Sequence, residues 1–130
     1  MQVLLVGESE ELGPLERGLK AEGVAVESRE QGPDGASGPA EIAAIARGLR
    51  EFEAALGEGG PDAVVVASDS SDSLAAVLVA TKLAAPVACV LRSSAAGVNA
   101  DLIRHLADTA LAAEPSAIVA WLRDTYTERR

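Results

Sequence analysis

The chain has 130 residues, 20 acidic and 11 basic, and a net charge of −9. This length predicts one domain whose core needs no metal or disulfide support, and the charge argues against nucleic acid or anionic membrane surfaces as partners. Only Phe52, Trp121 and Tyr126 are aromatic, too few to form a platform for stacking bases, and no window has the length and apolarity of a membrane span, so the expected location is cytoplasmic.

Val3 to Val6 is β-rich without alternation, the pattern of a central strand covered on both faces. It runs into an acidic turn, Gly7-Glu-Ser-Glu-Glu11. Leu12, Leu15 and Leu19 then recur at near-helical spacing, with Pro14 in a first turn and Gly23 as the stop. Val24 to Glu27 reads as a short second strand. The glycine- and proline-rich stretch Ser28 to Gly38 reads as a mobile loop, either a lid or a shortened connection. Ile42, Ile45, Leu49, Phe52 and Leu56 define one face of a helix over Pro39 to Leu56, ended by Gly57-Glu-Gly-Gly60.

Ala63 to Ala67 is the third strand and runs into Ser68-Asp-Ser-Ser-Asp72. A helix follows over Asp72 to Leu83, with Leu74, Val77 and Leu78 on its face. Val87 to Leu91 is the fourth strand; it holds the lone Cys89, which has no disulfide partner in the chain and reads as a structural thiol. A helix over Ala100 to Leu106, a short strand over Thr109 to Ala112 and a helix from Ser116 to about Thr127 complete the chain. In the last helix Leu122 and Tyr126 continue the face begun by Ile118 and Val119. Trp121 and Tyr126 either pack on their own sheet or leave an apolar face for a homodimer.

Strands alternating with helices at this rhythm predict a parallel α/β sheet. Right-handed crossovers make 2-1-3-4-5 the simplest order for five strands, a three-layer Rossmann-like domain over residues 1–130. The first and third strands then meet at the switch point, where such sheets bind ligands, and Glu8, Glu10, Glu11, Asp69 and Asp72 share its rim. The predicted ligand contacts are Gly7, Ser9, Asp69, Ser70, Ser71, Arg92 and Ser93. Asp69 and its serines serve either as a helix cap or as ligand contacts. Arg92, with Ser93 and Ser94, either binds a phosphate or pairs with the acidic rim. The five acids form a solvated rim or hold a hard cation, and the first reading is the simpler, so no metal or other cofactor is expected. His105, the only histidine, reads as structural because no second histidine or cysteine is placed to complete a metal site.

In order along the chain, several segments resemble the amino-terminal domain of the UDP-N-acetylglucosamine 2-epimerases, two-domain proteins of the GT-B class. Pro61-Asp-Ala-Val-Val-Val-Ala-Ser-Asp69 is similar to that family's Pro-Asp-(apolar)-Gly-Asp-Thr strand and turn, with Leu74-Ala-Ala-Val-Leu-Val-Ala80 after it. Leu102-Ile-Arg-His-Leu-Ala-Asp108 and Ala112-Ala-Glu-Pro115 resemble its Leu-Ile-Asp-His-Leu-Ala-Asp and Phe-Ala-Pro-Thr. The resemblance implies a sugar-nucleotide ligand and a carboxy-terminal domain supplying most nucleotide contacts.

The chemistry departs from that pattern. The family's first turn is Gly-Thr-Arg-Pro-Glu, whose Arg helps hold the diphosphate, and Ser9 stands in its place. Its His-Val-Glu-Ala-Gly supplies a catalytic Glu, and Leu91 stands there. Of Glu-Glu-x-Asn-Arg only Asn99 is kept, and of the acid–base set only Asp69 clearly survives. Epimerisation needs a positioned proton donor or acceptor, which an apolar side chain cannot be. The implied function is a catalytically impaired module that binds a small ligand or a protein partner. The alternative is the acceptor-side subunit of a split GT-B glycosyltransferase or epimerase completed by a separate carboxy-domain chain. A third reading, a phosphate-receiving signalling domain with Glu10 and Glu11 as its acids, lacks the lysine expected after the fifth strand.

Overall fold

The computed structural model describes residues 1–30 and 39–129. Five parallel strands, β1 (Gln2–Gly7), β2 (Ala25–Glu30), β3 (Ala63–Val66), β4 (Val87–Cys89) and β5 (Thr109–Ala110), form one sheet in the order β2-β1-β3-β4-β5. The helices are α1 (Ser9–Ala21), α2 (Pro39–Leu56), α3 (Ser71–Lys82), α4 (Val98–Leu106) and α5 (Pro115–Arg129). This is the expected Rossmann-like α/β fold.

Strand alternation divides the core into two layers. Leu4, Val6, Val64 and Val66 point to the face covered by α2, α3 and α4, where they meet Phe52, Leu74, Val77 and Ile103. Val3, Leu5, Val65 and Ala88 point to the opposite face, covered by α1 and α5 through Leu12, Leu15, Leu19, Ile118 and Leu122. Val3 to Val6 and Val64 to Val66 are fully buried, as uninterrupted apolar runs in a doubly covered sheet must be. Cys89 is buried in the first layer, and burial pushes its thiol pKa up, which leaves it unreactive in the folded chain.

Four sequence expectations are corrected by tertiary context. β2 continues through Ser28, Arg29 and Glu30, which read as loop; it is an edge strand, largely exposed, held by its ladder to β1 as far as Gly7 opposite Glu30, so it needs no apolar alternation. The question of lid or connection falls on residues 31–38, outside the described residues. α1 begins at Ser9, which puts Pro14 in its second turn, where the ring removes a donor to the Glu10 carbonyl. In α2 the buried line is Ala44, Gly48, Phe52 and Leu56, with Ile45 and Leu49 beside it, and Ile42 is left 68% exposed. Small residues draw α2 onto α3: a Cβ at Gly48 would lie 2.8 Å from the Ala75 Cβ. α3, gripped between α2 and α4, is buried almost all round rather than along one stripe.

Across the sheet, α1 meets α5 so closely that a side chain at Gly18 would overlap the Pro115 ring. Trp121 packs half-buried against this layer. Tyr126 bonds to Asp62, which also accepts the Gln2 N–H at 2.8 Å, and these contacts hold the Asp62 pKa below its ordinary value. The aromatic face of α5 is thus largely engaged by its own domain.

Candidate functional site

β1 and β3 lie side by side with helices leaving in opposite directions, so their carboxyl ends open a cleft at the switch point. The cleft encloses about 200 Å³. Its three walls come from the β1–α1 turn, the β3–α3 turn and the segment after β4. Glu8 and Glu11 form the first, Ala67, Ser68 and Asp69 the second, and Leu91, Arg92, Ser94 and Ala95 the third.

The β1–α1 wall depends on close backbone approach. A Cβ at Gly7 would sit 3.1 Å from the Ala67 Cβ, so a side chain there would push the two turns apart. Glu8 holds the N-cap position of α1 without a side-chain capping bond. Glu11, one turn further on, faces Arg92 across the cleft at 3.9 Å. Burial raises the Glu11 pKa; Arg92 opposes that, while Glu8, Asp69 and Glu10 reinforce it. A long contact to a guanidinium that is itself 73% exposed is too screened to cancel the cost of desolvation.

The β3–α3 wall is built differently. Ser70 is the N-cap of α3, its Oγ accepting the Ser73 N–H at 3.1 Å. The hydroxyls of Ser68, Ser70 and Ser73 then close a buried triangle, with Oγ–Oγ distances of 2.8 Å (Ser68 to Ser73), 3.1 Å (Ser68 to Ser70) and 3.2 Å (Ser70 to Ser73). Asp69 alone of this turn projects outward, while its carbonyl accepts from the Asn99 side chain at 3.2 Å. Asn99 also reaches Glu41 at 3.4 Å, tying the first turns of α2 and α4 to the rim.

The third wall has a brace that the sequence reading missed. Arg104, on α4, donates from Nη1 to the Ala95 carbonyl at 2.8 Å and from Nη2 to the Arg92 carbonyl at 2.9 Å. This fork fixes the loop that presents Arg92 and Ser94. The only sequence signal was a basic residue where the resembled pattern has Asp.

Of the seven predicted contacts, Asp69 and Arg92 line the cleft. Gly7 is buried at the end of β1, outside the lining, and Ser9 is exposed on the first turn of α1. Ser70 and Ser71 are turned inward and buried, and Ser93 is exposed outside the lining that its neighbour Ser94 joins. Of the five acids, Glu8, Glu11 and Asp69 share the cleft; Asp72 lies against α2, its Oδ1 3.7 Å from where a Gly48 Cβ would sit. Among the described residues no three His, Cys, Asp or Glu side chains converge to hold a metal ion. His105 is exposed on α4. Among the same residues, no helix is long and apolar enough to cross a membrane.

No protein-family model matches the chain, and no curated protein matches it. Solved structures do. The UDP-GlcNAc 2-epimerase of Methanocaldococcus jannaschii is 25% identical with a TM-score of 0.68, over 86% of this chain and 39% of that one. The same enzyme in complex with UDP-GlcNAc and UDP is 24% identical with a TM-score of 0.70, over 96% of this chain and 44% of that one. MurG of Acinetobacter baumannii shares the fold at 15% identity and a TM-score of 0.60, over 84% of this chain and 40% of that one. The chain spans about two fifths of the length of the structures it matches. It resembles the amino-terminal part of UDP-GlcNAc 2-epimerase.

Proposed function

We propose that the chain is a binding module that keeps the sugar-nucleotide crevice of the epimerase fold without its proton-transfer chemistry. The observation that carries this reading is Leu91, which lines the cleft beside Arg92 at the position where the resemblance implies a catalytic Glu. A leucine neither takes nor gives a proton, and a positioned acid or base contributes factors of about 10²–10⁴ to such a step. The cleft offers Asp69 and Glu11 as hydroxyl acceptors and Arg92 as its cation, a set suited to a polyhydroxylated ligand carrying one anionic group. A ligand would meet Asp69, Arg92 and Ser94 directly, with Gly7 and Ser9 at the approach to α1. Ser70, Ser71 and Ser93 contribute by shaping the turns. A lone buried thiol and the strong negative charge fit a cytoplasmic setting.

The test is a calorimetric and NMR titration with UDP-N-acetylglucosamine and UDP, with and without magnesium. Saturable binding that shifts Asp69, Arg92 and Ser94, together with no epimerase turnover, is the expected result. Turnover by the chain alone would refute the impaired-module reading, and no response at millimolar ligand would refute ligand binding.

A second reading rests on the two-fifths coverage of the matched structures. In it a separate chain supplies the other wall, and the two together form a split enzyme. That reading predicts turnover only on mixing this chain with such a partner.

A further inference from the structure

α4 reaches two walls of the cleft, one from each end. In its first turn the Asn99 side chain donates to the Asp69 carbonyl at 3.2 Å. In its last turn Arg104 donates to the Arg92 carbonyl at 2.9 Å and to the Ala95 carbonyl at 2.8 Å. Ala100 and Ile103, both fully buried, anchor the helix between these two ties. The chain enters α4 through Gly97 at φ 116°, a conformation that glycine alone adopts freely. The preceding turn is closed by the Ala95 N–H donating to the Arg92 carbonyl at 2.9 Å, so Arg104 grips both ends of it.

This grip is not an ordinary surface ion pair. The chain has 20 acidic residues, yet among the described residues none pairs with Arg104. Its guanidinium is committed to two backbone carbonyls in a planar fork that a lysine cannot reproduce. The pattern that the chain resembles has an aspartate there, which as a carboxylate has no N–H to donate. Arg92, in turn, has little else to direct it: its side chain is 73% exposed and meets Glu11 only at 3.9 Å, too weak a contact to hold a long side chain in place.

We propose that Arg104 is the positioning residue of the cleft's cation, holding the Arg92–Ala95 turn so that Arg92 is aimed across the cleft toward Glu11. Asn99 does the same for Asp69 from the other end of α4, so one short helix sets the separation between the hydroxyl acceptor and the cation. The consequence for ligand affinity rests on the sugar-nucleotide reading of the cleft; the consequence for Arg92 itself does not.

The Glu11 carboxyl reports where Arg92 points, since burial raises its pKa, Arg92 lowers it, and Glu8, Asp69 and Glu10 raise it. The test is an NMR titration of that carboxyl in the full chain, joined to calorimetry with UDP. Arg104→Gln is expected to move the Glu11 midpoint upward, as Arg92→Gln does, with the circular dichroism spectrum unchanged. In the Arg92→Gln background the same substitution is expected to move it no further, because Arg104 acts through Arg92. Arg104→Lys keeps the charge without the fork and is expected to follow Arg104→Gln. UDP binding is expected to weaken about tenfold in both Arg104 variants, the scale of one charge-assisted hydrogen bond. A Glu11 midpoint unmoved or lowered by Arg104→Gln would overturn the proposal. So would a further rise in the Arg92→Gln background, wild-type behaviour of Arg104→Lys, or an unchanged affinity in both variants where the wild type binds UDP. Should Arg104→Gln fail to fold, Arg104→Lys carries the same titration. If the wild-type chain binds no UDP, the sugar-nucleotide reading falls, and the Glu11 titration still decides the role of Arg104.

Discussion

α1 and α3 each follow a central strand out of the cleft, and both end in the same way. In each, the residue after the C-cap takes a left-handed conformation, Gly23 at φ 83° and Ala84 at φ 57°. The next amide then bonds back to a carbonyl five residues earlier: Val24 N to Leu19 O at 3.0 Å, and Ala85 N to Ala80 O at 2.9 Å. The beginnings differ. α3 starts from a serine cap wired into a buried hydroxyl triangle, whereas α1 starts from Glu8 with no side-chain cap and carries a proline in its second turn. Both turns are walls of one cleft; the first is held by the Glu11 and Leu12 N–H groups donating to the Glu8 carbonyl at 3.0 Å, and the second by its serine side chains as well. The β3–α3 turn thus carries a side-chain cap and a hydroxyl triangle that the β1–α1 turn does not share.

The contrast is sharpest in the glycines. Gly48→Ala pushes a methyl group into Ala75 of α3, and thermal unfolding should show a loss of about 1–3 kcal/mol. Ser70→Ala removes the α3 cap and one corner of the triangle; denaturant titration should register about 1–2 kcal/mol. If that variant instead matches wild type, the triangle is not what fixes this wall. Gly13→Ala in α1 is the opposite case, since the new methyl would meet only the Arg17 side chain, at 3.4 Å. Stability there should rise by about 0.8 kcal/mol through helix propensity alone. Ala84→Gly relieves the left-handed alanine after α3 and should add about 0.5–1 kcal/mol.

The smallest effect is electrostatic and belongs to α1. Because burial raises the Glu11 pKa, the folded chain holds that proton more tightly than the unfolded one. The ionised carboxylate therefore costs stability above its folded pKa, and the cost disappears as pH falls below the ordinary carboxylate value. Glu11→Gln should stabilise the chain at neutral pH by about 0.5 kcal/mol or less. The gain should close as the pH is lowered; a gain that persists in acid would assign the effect to something other than charge.

The fold was legible because its signals are local. Val3 to Val6 and Ala63 to Val66 announce doubly covered strands by uninterrupted apolarity, and α2 spans Pro39 to Leu56 as its spacing predicts. The site was legible as a place, since strand order alone puts Asp69 and Arg92 at one crevice. What escaped depended on partners distant in sequence. Ser70 reads equally as cap and as ligand contact until Ser68 and Ser73 close around it. Arg104 shows no role until the Arg92 and Ala95 carbonyls are seen within its reach. Ile42 looks like core because periodicity marks a stripe by its hydropathy, and the true contact line runs through Ala44 and Gly48, which carry little of it.

The burial of Cys89 has a practical consequence. It is the chain's only thiol, it lies in β4 with 1% of its surface accessible, and its neighbours in the sheet are β3 and β5. A thiol reagent can reach it only when the helical layer of α3 and α4 lifts from the sheet, so its labelling rate times that opening rather than any surface reaction. The molecule thus carries its own clock in the core layer beneath α3 and α4. A ligand that binds only the closed fold should slow that clock in proportion to how strongly it disfavours the opening.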